Sequence, residues 1–233
     1  MGTRNLTVII KDGKIRLSQY GQWDGYFKGA GVDFLQFVKD NLQDKSKRRM
    51  KYRIEKFAEK VECLESVDEG YYDGIIKMSN EYTLNPQKNS SPYAIPFKIL
   101  MPQFSRDTGV KILDVINMLE PYEFRGYAEP DKNGHREEFY RYRYPIMLTF
   151  DREGFTEFTN IINLDTQEIY MLTSHEFQCE PLSTCELVES TYRQKCWYKS
   201  KIKDIPTIAK IQKYKESIEL DYWQRDNGEW VSN

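Results

Sequence analysis

The 233-residue chain has only two histidines, His135 and His175, and four cysteines, Cys63, Cys179, Cys185 and Cys196. Two imidazoles leave little material for a histidine-based triad or a histidine-rich metal centre. Four thiols are too few for a disulfide scaffold at this length, so reduced thiols in a cytosolic setting are expected. No apolar run approaches the roughly 20 residues needed to cross a bilayer, and no membrane association is expected. The first residues contain no apolar signal core, which points to a cytoplasmic protein whose sequons at Asn5 and Asn89 carry no glycan. Gly2 has Leu6 where myristoylation wants Ser or Thr. A Walker-type or dinucleotide-type glycine loop, a G-x-S-x-G elbow and an H-E-x-x-H helix are all absent, and no cofactor is expected.

What remains is a near-neutral chain rich in aromatic residues. Lys and Arg total 34 against 36 Asp and Glu, a formal net charge of -2. A bulk nucleic-acid binder is normally basic, so nucleic acid is an unlikely partner and only a local patch could serve. Tyr 17, Phe 12 and Trp 4 argue against disorder, and a chain of this size buries roughly 70–75% of its unfolded surface. The 36 carboxylates show no spacing that singles out a catalytic pair.

Leu6–Ile10 and Ile15–Tyr20 flank Asp12-Gly13, which predicts a type I′ hairpin. A glycine-rich loop follows, with Gly21, Gly25, Gly29 and Gly31, and then a helix over 32–41. The 3.6-residue spacing of Met50, Ile54, Phe57, Ala58, Val61 and Leu64 predicts a second helix over 45–64. Ser105 is a candidate cap for a third, with Val110, Ile112, Leu113, Ile116 and Leu119 as its apolar stripe and Pro121 as its end. Strands are predicted at 139–144, 146–150, 155–163 and 168–172, the C-terminal group joining the sheet of the first hairpin. The stretch 174–200 reads as polar, and a last helix covers 207–222. The economical architecture is one α+β domain over 1–233, with a mixed, mainly antiparallel sheet, flanking helices and a helical or loop insertion around 44–104.

The loop after the hairpin is the first candidate site. Glycines on either side of Gln22-Trp23-Asp24 put polar groups where a backbone can approach a ligand closely. Gln22 donates and accepts, Asp24 accepts or acts as a base, and Trp23 and Tyr26 offer flat stacking surfaces. The alternative is a tight turn held by the Asp24 carboxylate, with Trp23 plugging the core. Ser105-Arg106-Asp107-Thr108-Gly109 adds Arg106 and Asp107 as further ligand-binding candidates.

Those strings, together with Met1-Gly2-Thr3-Arg4-Asn5-Leu6, Tyr20-Gly21-Gln22-Trp23-Asp24-Gly25-Tyr26 and Asn160-Ile161-Ile162-Asn163-Leu164-Asp165, resemble an uncharacterised family of bacteriophages, bacteria and some fungi. The likeness touches both halves of the chain and carries no settled activity. Phe27 stands where the resemblance leads one to expect Pro, and Phe158-Thr159-Asn160 stands where it leads one to expect an aromatic-rich strand. The resemblance implies a phage- or mobile-element-encoded accessory protein that binds a host factor, for instance one of host defence. The opening is also similar in architecture to amidohydrolases whose N-terminal residue is the nucleophile, which would give a sandwich-like fold. In that reading Thr3, Arg4, Gln22 and Asp24 carry the chemistry, and a cleavage before Thr3 is required, since Gly2 follows Met1.

Two weaker patterns complete the list of candidates. His175, Cys179, Cys185 and Cys196 are zinc-type ligands, but no C-x-x-C pair is present to grip a metal. Lys45, Lys47, Arg48, Arg49, Lys51 and Arg53 are interleaved with Met50 and Tyr52, and Arg136, Arg141 and Arg143 with Phe139, Tyr140, Tyr142 and Tyr144. Either pattern could stack and neutralise a nucleic acid. Either is also what a solvated face looks like when its aromatics turn inward.

Overall fold

A computed structural model describes residues 3–66, 108–118, 122–127, 138–146, 156–174 and 194–225. Its centre is an open five-stranded sheet of order β2-β1-β6-β7-β8. The strands are β1 (Asn5–Lys11), β2 (Lys14–Gly21), β6 (Phe158–Asn163), β7 (Glu168–Thr173) and β8 (Lys195–Lys201). β1 pairs in parallel with β6, and the other three pairings are antiparallel. Three further strands, β3 (Leu64–Ser66), β4 (Tyr122–Tyr127) and β5 (Glu138–Ile146), form a separate sheet of order β3-β5-β4. The segment 139–144 is therefore a strand, as its alternation predicts, but it does not join the hairpin's sheet. The fold is α+β.

The predicted hairpin is present. Asp12 and Gly13 take φ of 56° and 64°, the left-handed pair that a type I′ turn needs. Its tip is held from outside: the Asp165 carboxylate accepts from the Asp12 and Gly13 amides, each at 2.9 Å. Asp165 is itself set by Asn163, whose Oδ1 accepts from the amides of Asp165 (3.0 Å) and Thr166 (3.1 Å). The Asn163-Leu164-Asp165 string is thus a clasp that fixes the β1–β2 turn to the β6–β7 turn.

Both faces of this sheet are buried, which is why β1 reads as an almost continuous apolar run. Leu6, Val8, Ile10, Ile161, Leu172 and Cys196 gather on one face. Ile9, Leu17, Ile162, Ile169 and Met171 lie on the other, under the helices. A helical run covers residues 27–42, with α1 (Val32–Phe37) between two wider turns, Phe27–Gly31 and Val38–Leu42. α2 (Lys47–Glu62) is capped by Ser46 and buries the predicted Met50, Ile54, Phe57, Ala58 and Val61. A 3-10 turn, Gly109–Lys111, leads into α3 (Ile112–Met118), which buries Ile112, Leu113 and Ile116. α4 (Ile208–Arg225) is the last element among the described residues.

β8 lies inside the stretch that reads as polar. Its ends are lysines and a register shift opposite Met171/Leu172 breaks its alternation. Trp197 and Tyr198 both reach the helix-side core, while Cys196 reaches the other cluster. Ser105, Leu119 and residues 147–150 lie outside the described residues. Among the described residues no helix is long and apolar enough to cross a membrane.

β7 and β8 are joined by charge as well as by backbone. Glu168 accepts from Tyr170 Oη at 2.6 Å and pairs with Lys201 at 3.0 Å and Lys199 at 3.7 Å. Burial pushes its carboxyl up, but the hydrogen bonds from Tyr170, Lys201 and Thr166 and the Lys199 charge outweigh that and hold it at about 2. A folded-state value below the usual 4.5 stabilises the fold above pH 4.5, and that contribution is lost as pH falls toward 2. Glu168→Gln is therefore expected to cost about 1–2 kcal/mol at pH 7. Urea unfolding should show the gap to wild type closing between pH 4.5 and 2, whereas a gap constant with pH would contradict the ion cluster.

Candidate functional site

The first residues of β1 and the chain leaving β2 meet at one end of the sheet. The antiparallel register opposes Asn5 to Gly21, so Gln22–Tyr26 turns back over Thr3 and Arg4. Gly25 N donates to Thr3 O at 3.0 Å, and Ala30 N donates to Asp24 O at 2.7 Å. Asn5 Nδ2 donates to Gly21 O at 3.2 Å and to Trp23 O at 3.4 Å. Tyr20 Oη donates to Gln22 Oε1. The bend is therefore fixed at Gly21, Gln22, Trp23, Asp24 and Gly25.

The glycines permit this contact. A Cβ on Gly25 would lie 2.9 Å from the Arg4 and Thr3 backbone, and one on Gly29 would lie 2.3 Å from Asp24 O. A Cβ on Gly21 would meet the Asn5 amide at 2.6 Å. The close approach that these glycines allow is made by the chain's own backbone and side chains. The side chains do the opposite of the backbone. Trp23 is 61% exposed and Tyr26 44%. Trp23 does not plug the core. Asp24 is exposed with φ of 52°, and it braces the turn through its carbonyl, not its carboxylate.

Thr3, Arg4, Gln22, Trp23, Asp24 and Tyr26 thus come to one place. Arg4 is tied to the start of β6: its N donates to Glu157 Oε2 at 3.1 Å, and its O accepts from the Glu157 and Phe158 amides. Arg106 and Asp107 lie outside the described residues. The next glycine, Gly109, sits at φ +58° with its would-be Cβ 3.3 Å from Gly21 Cα and 3.4 Å from Asn5 Oδ1. α3 therefore starts against the same end of the sheet.

Asn5 and Glu157 were not among the residues singled out from the sequence. Asn5, Thr7 and Ile9 alternate with Leu6, Val8 and Ile10, so polar residues share a face with apolar Ile9. The register puts Gln19 opposite Thr7 on β2 and Asn160 opposite it on β6. All four polar side chains are buried. Asn5 Oδ1, Thr7 Oγ1 and Asn160 Nδ2 have no hydrogen-bond partner among the described residues. Such buried atoms are uncommon and costly in folded proteins. A match of buried polar residues across three strands was the available signal.

Of the zinc candidates only Cys196 lies among the described residues. Cys196 is fully buried in the apolar cluster with Leu6 and Leu172, and its Sγ donates to Tyr198 O at 3.3 Å. His175, Cys179 and Cys185 lie outside the described residues, as do the side chains of Arg136, Arg141 and Arg143. Among the described residues no group of three His, Cys, Asp or Glu is placed to hold a metal.

Comparison with family models, with curated proteins and with solved structures finds no match to this chain. The bend is read from its own geometry.

Two substitutions test that geometry. Gly25→Ala must displace backbone, and is expected to cost about 1–3 kcal/mol in urea unfolding; an unchanged midpoint would show the Thr3–Gly25 contact to be loose. Thr7→Val removes a buried hydroxyl with no partner among the described residues and is expected to raise stability by about 1 kcal/mol. A loss of stability instead would place solvent or a ligand on that hydroxyl.

Proposed function

We propose that the protein is a non-enzymatic accessory protein, encoded by a phage or mobile element, that acts by binding a host protein through the Gln22–Tyr26 bend. One observation carries the reading: Trp23 and Tyr26 stand exposed on a backbone that two hydrogen bonds, Gly25 N to Thr3 O and Ala30 N to Asp24 O, hold in place. Aromatic anchors dominate binding energy at protein interfaces, and a fixed backbone lowers the ordering cost of presenting them. Asp24 beside them supplies an exposed charge. The link to a host factor comes from the family resemblance.

A second reading, a small-ligand module, is favoured by the unpartnered Asn5 Oδ1, Thr7 Oγ1 and Asn160 Nδ2 on the sheet face that begins at the bend. Such a ligand would be small and polar, with both donors and acceptors.

The deciding experiment is affinity capture from host lysate with wild type and with Trp23→Ala/Tyr26→Ala. Wild type should retain a stoichiometric partner, and each truncation should weaken a reconstituted complex by about 30-fold, or 2 kcal/mol. Because both rings are exposed, the melting temperature should stay unchanged. Equal retention by wild type and variant, or no partner at all, would contradict the proposal.

A further inference from the structure

An aspartate followed by glycine can react with its own backbone, because glycine has no Cβ to keep its amide away from the aspartate Cγ. The described residues hold two such pairs, Asp12-Gly13 and Asp24-Gly25, while Asp73-Gly74 lies outside them. At the hairpin tip the turn itself demands the pair, since Asp12 and Gly13 sit at φ of 56° and 64°. A side chain at Gly13 would meet nothing within 4 Å, yet it would be strained by that φ. The Asp12 side chain is 51% exposed, so water reaches it.

The reaction has two steps. The Gly13 nitrogen gives up its proton and attacks Asp12 Cγ. The N–Cγ bond forms, the Cγ–OH bond breaks, and the proton and hydroxyl leave as water, closing a cyclic imide. A solvent water then opens the ring. Attack at Cγ restores aspartate. Attack at the α-carbonyl breaks its bond to nitrogen and leaves the chain running through Cβ and Cγ, which is isoaspartate, with no net change in mass. The first step requires a protonated Asp12 carboxyl and a Gly13 amide free to lose its proton and turn onto Cγ.

The structure opposes both requirements. Gly13 N donates to Asp165 Oδ2 at 2.9 Å, and Asp12 N donates to Asp165 Oδ1 at 2.9 Å. A carboxylate against the amide disfavours loss of its proton, because a second negative charge would form beside the first. Both Asp12 oxygens are held as well: Lys11 Nζ lies 2.6 Å from Oδ1, and Arg16 Nη2 lies 3.1 Å from Oδ2. Lys11 is steadied in turn by Glu62 at 3.4 Å. These contacts, the Lys11 hydrogen bond foremost, keep the Asp12 carboxyl below its usual range and so ionised. We propose that Asp12-Gly13 is a modification site that the fold holds closed: Asp165 restrains the attacking amide, Lys11 and Arg16 restrain the carboxyl, and release of this clasp converts Asp12 to isoaspartate. The converted turn carries one more backbone carbon and no longer matches the pairing of Lys11 with Lys14.

The second pair is the internal reference. Gly25 N donates to Thr3 O, far from Asp165 in the fold, at the other end of β1. The full chain is kept folded at neutral pH and body temperature, then digested. The isoaspartyl forms of the Asp12 and Asp24 peptides are separated from the aspartyl forms by chromatography and labelled with an isoaspartyl methyltransferase. In folded wild type, Asp12 should convert about tenfold more slowly than in the same chain unfolded in urea, the factor that one charge-assisted hydrogen bond supplies. Asp165→Ala should raise the folded-state rate at Asp12 by about tenfold and leave Asp24 unchanged. Arg16→Met should raise the Asp12 rate by a smaller factor. It leaves the Asp165 contacts in place, so it decides the question if Asp165→Ala does not fold. Conversion of Asp12 in folded wild type at the unfolded rate, no rise in the variants, or an equal rise at Asp12 and Asp24 would each overturn the proposal.

Discussion

The contact between the start of β1 and the chain leaving β2 governs this structure. Asn5 binds the Gly21 and Trp23 carbonyls, and Thr3 receives the Gly25 amide. Those bonds need three close approaches that only glycine allows, at Gly21, Gly25 and Gly29. Once the bend is drawn onto β1, its backbone is spent on internal contacts and its side chains turn outward. The run from Phe27 then enters the core, where Phe27 meets Trp197 edge-on with ring centroids 5.5 Å apart. The exposed pair Trp23 and Tyr26 and the buried Phe27 follow from one constraint.

The opposite end of the sheet is closed by charge. Asp165 accepts from the hairpin tip, Lys11 pairs with Asp12 and with Glu62 at the end of α2, and Glu168 binds two lysines of β8. One end of the sheet is thus stitched by ionic groups from four elements. The other end combines glycine packing with buried polar atoms that have no hydrogen-bond partner among the described residues. This asymmetry supports the proposed role of the bend end in recognition, because buried polar groups without partners among the described residues and exposed aromatics are poor choices for stability alone.

Much of the fold was legible because its signals are local. Asp12-Gly13 demands positive φ, and the 3.6-residue spacing of Met50, Ile54, Phe57 and Val61 admits one buried helix face. β8 was not legible, because a register shift and lysine ends erase its alternation. The separation of β5 into another sheet depends on long-range pairing that no local pattern encodes. At the site, Gln22, Trp23, Asp24 and Tyr26 could be named from their residue types. Their exposure could not, since a tryptophan between glycines serves equally well as a plug or as an anchor. Asn5 and Glu157 escaped notice because a strand asparagine and a loop glutamate have meaning only through the register that brings them to Gly21 and Arg4.

Amide hydrogen exchange followed by NMR tests the central claim most directly. The Gly25 and Ala30 amides should exchange as slowly as those of β1, while the Trp23 indole N–H exchanges at the rate of a free side chain. Fast exchange at both amides would make the bend a hinge with no brace, and a slow indole would mean that Trp23 is sealed from solvent; either result contradicts the account.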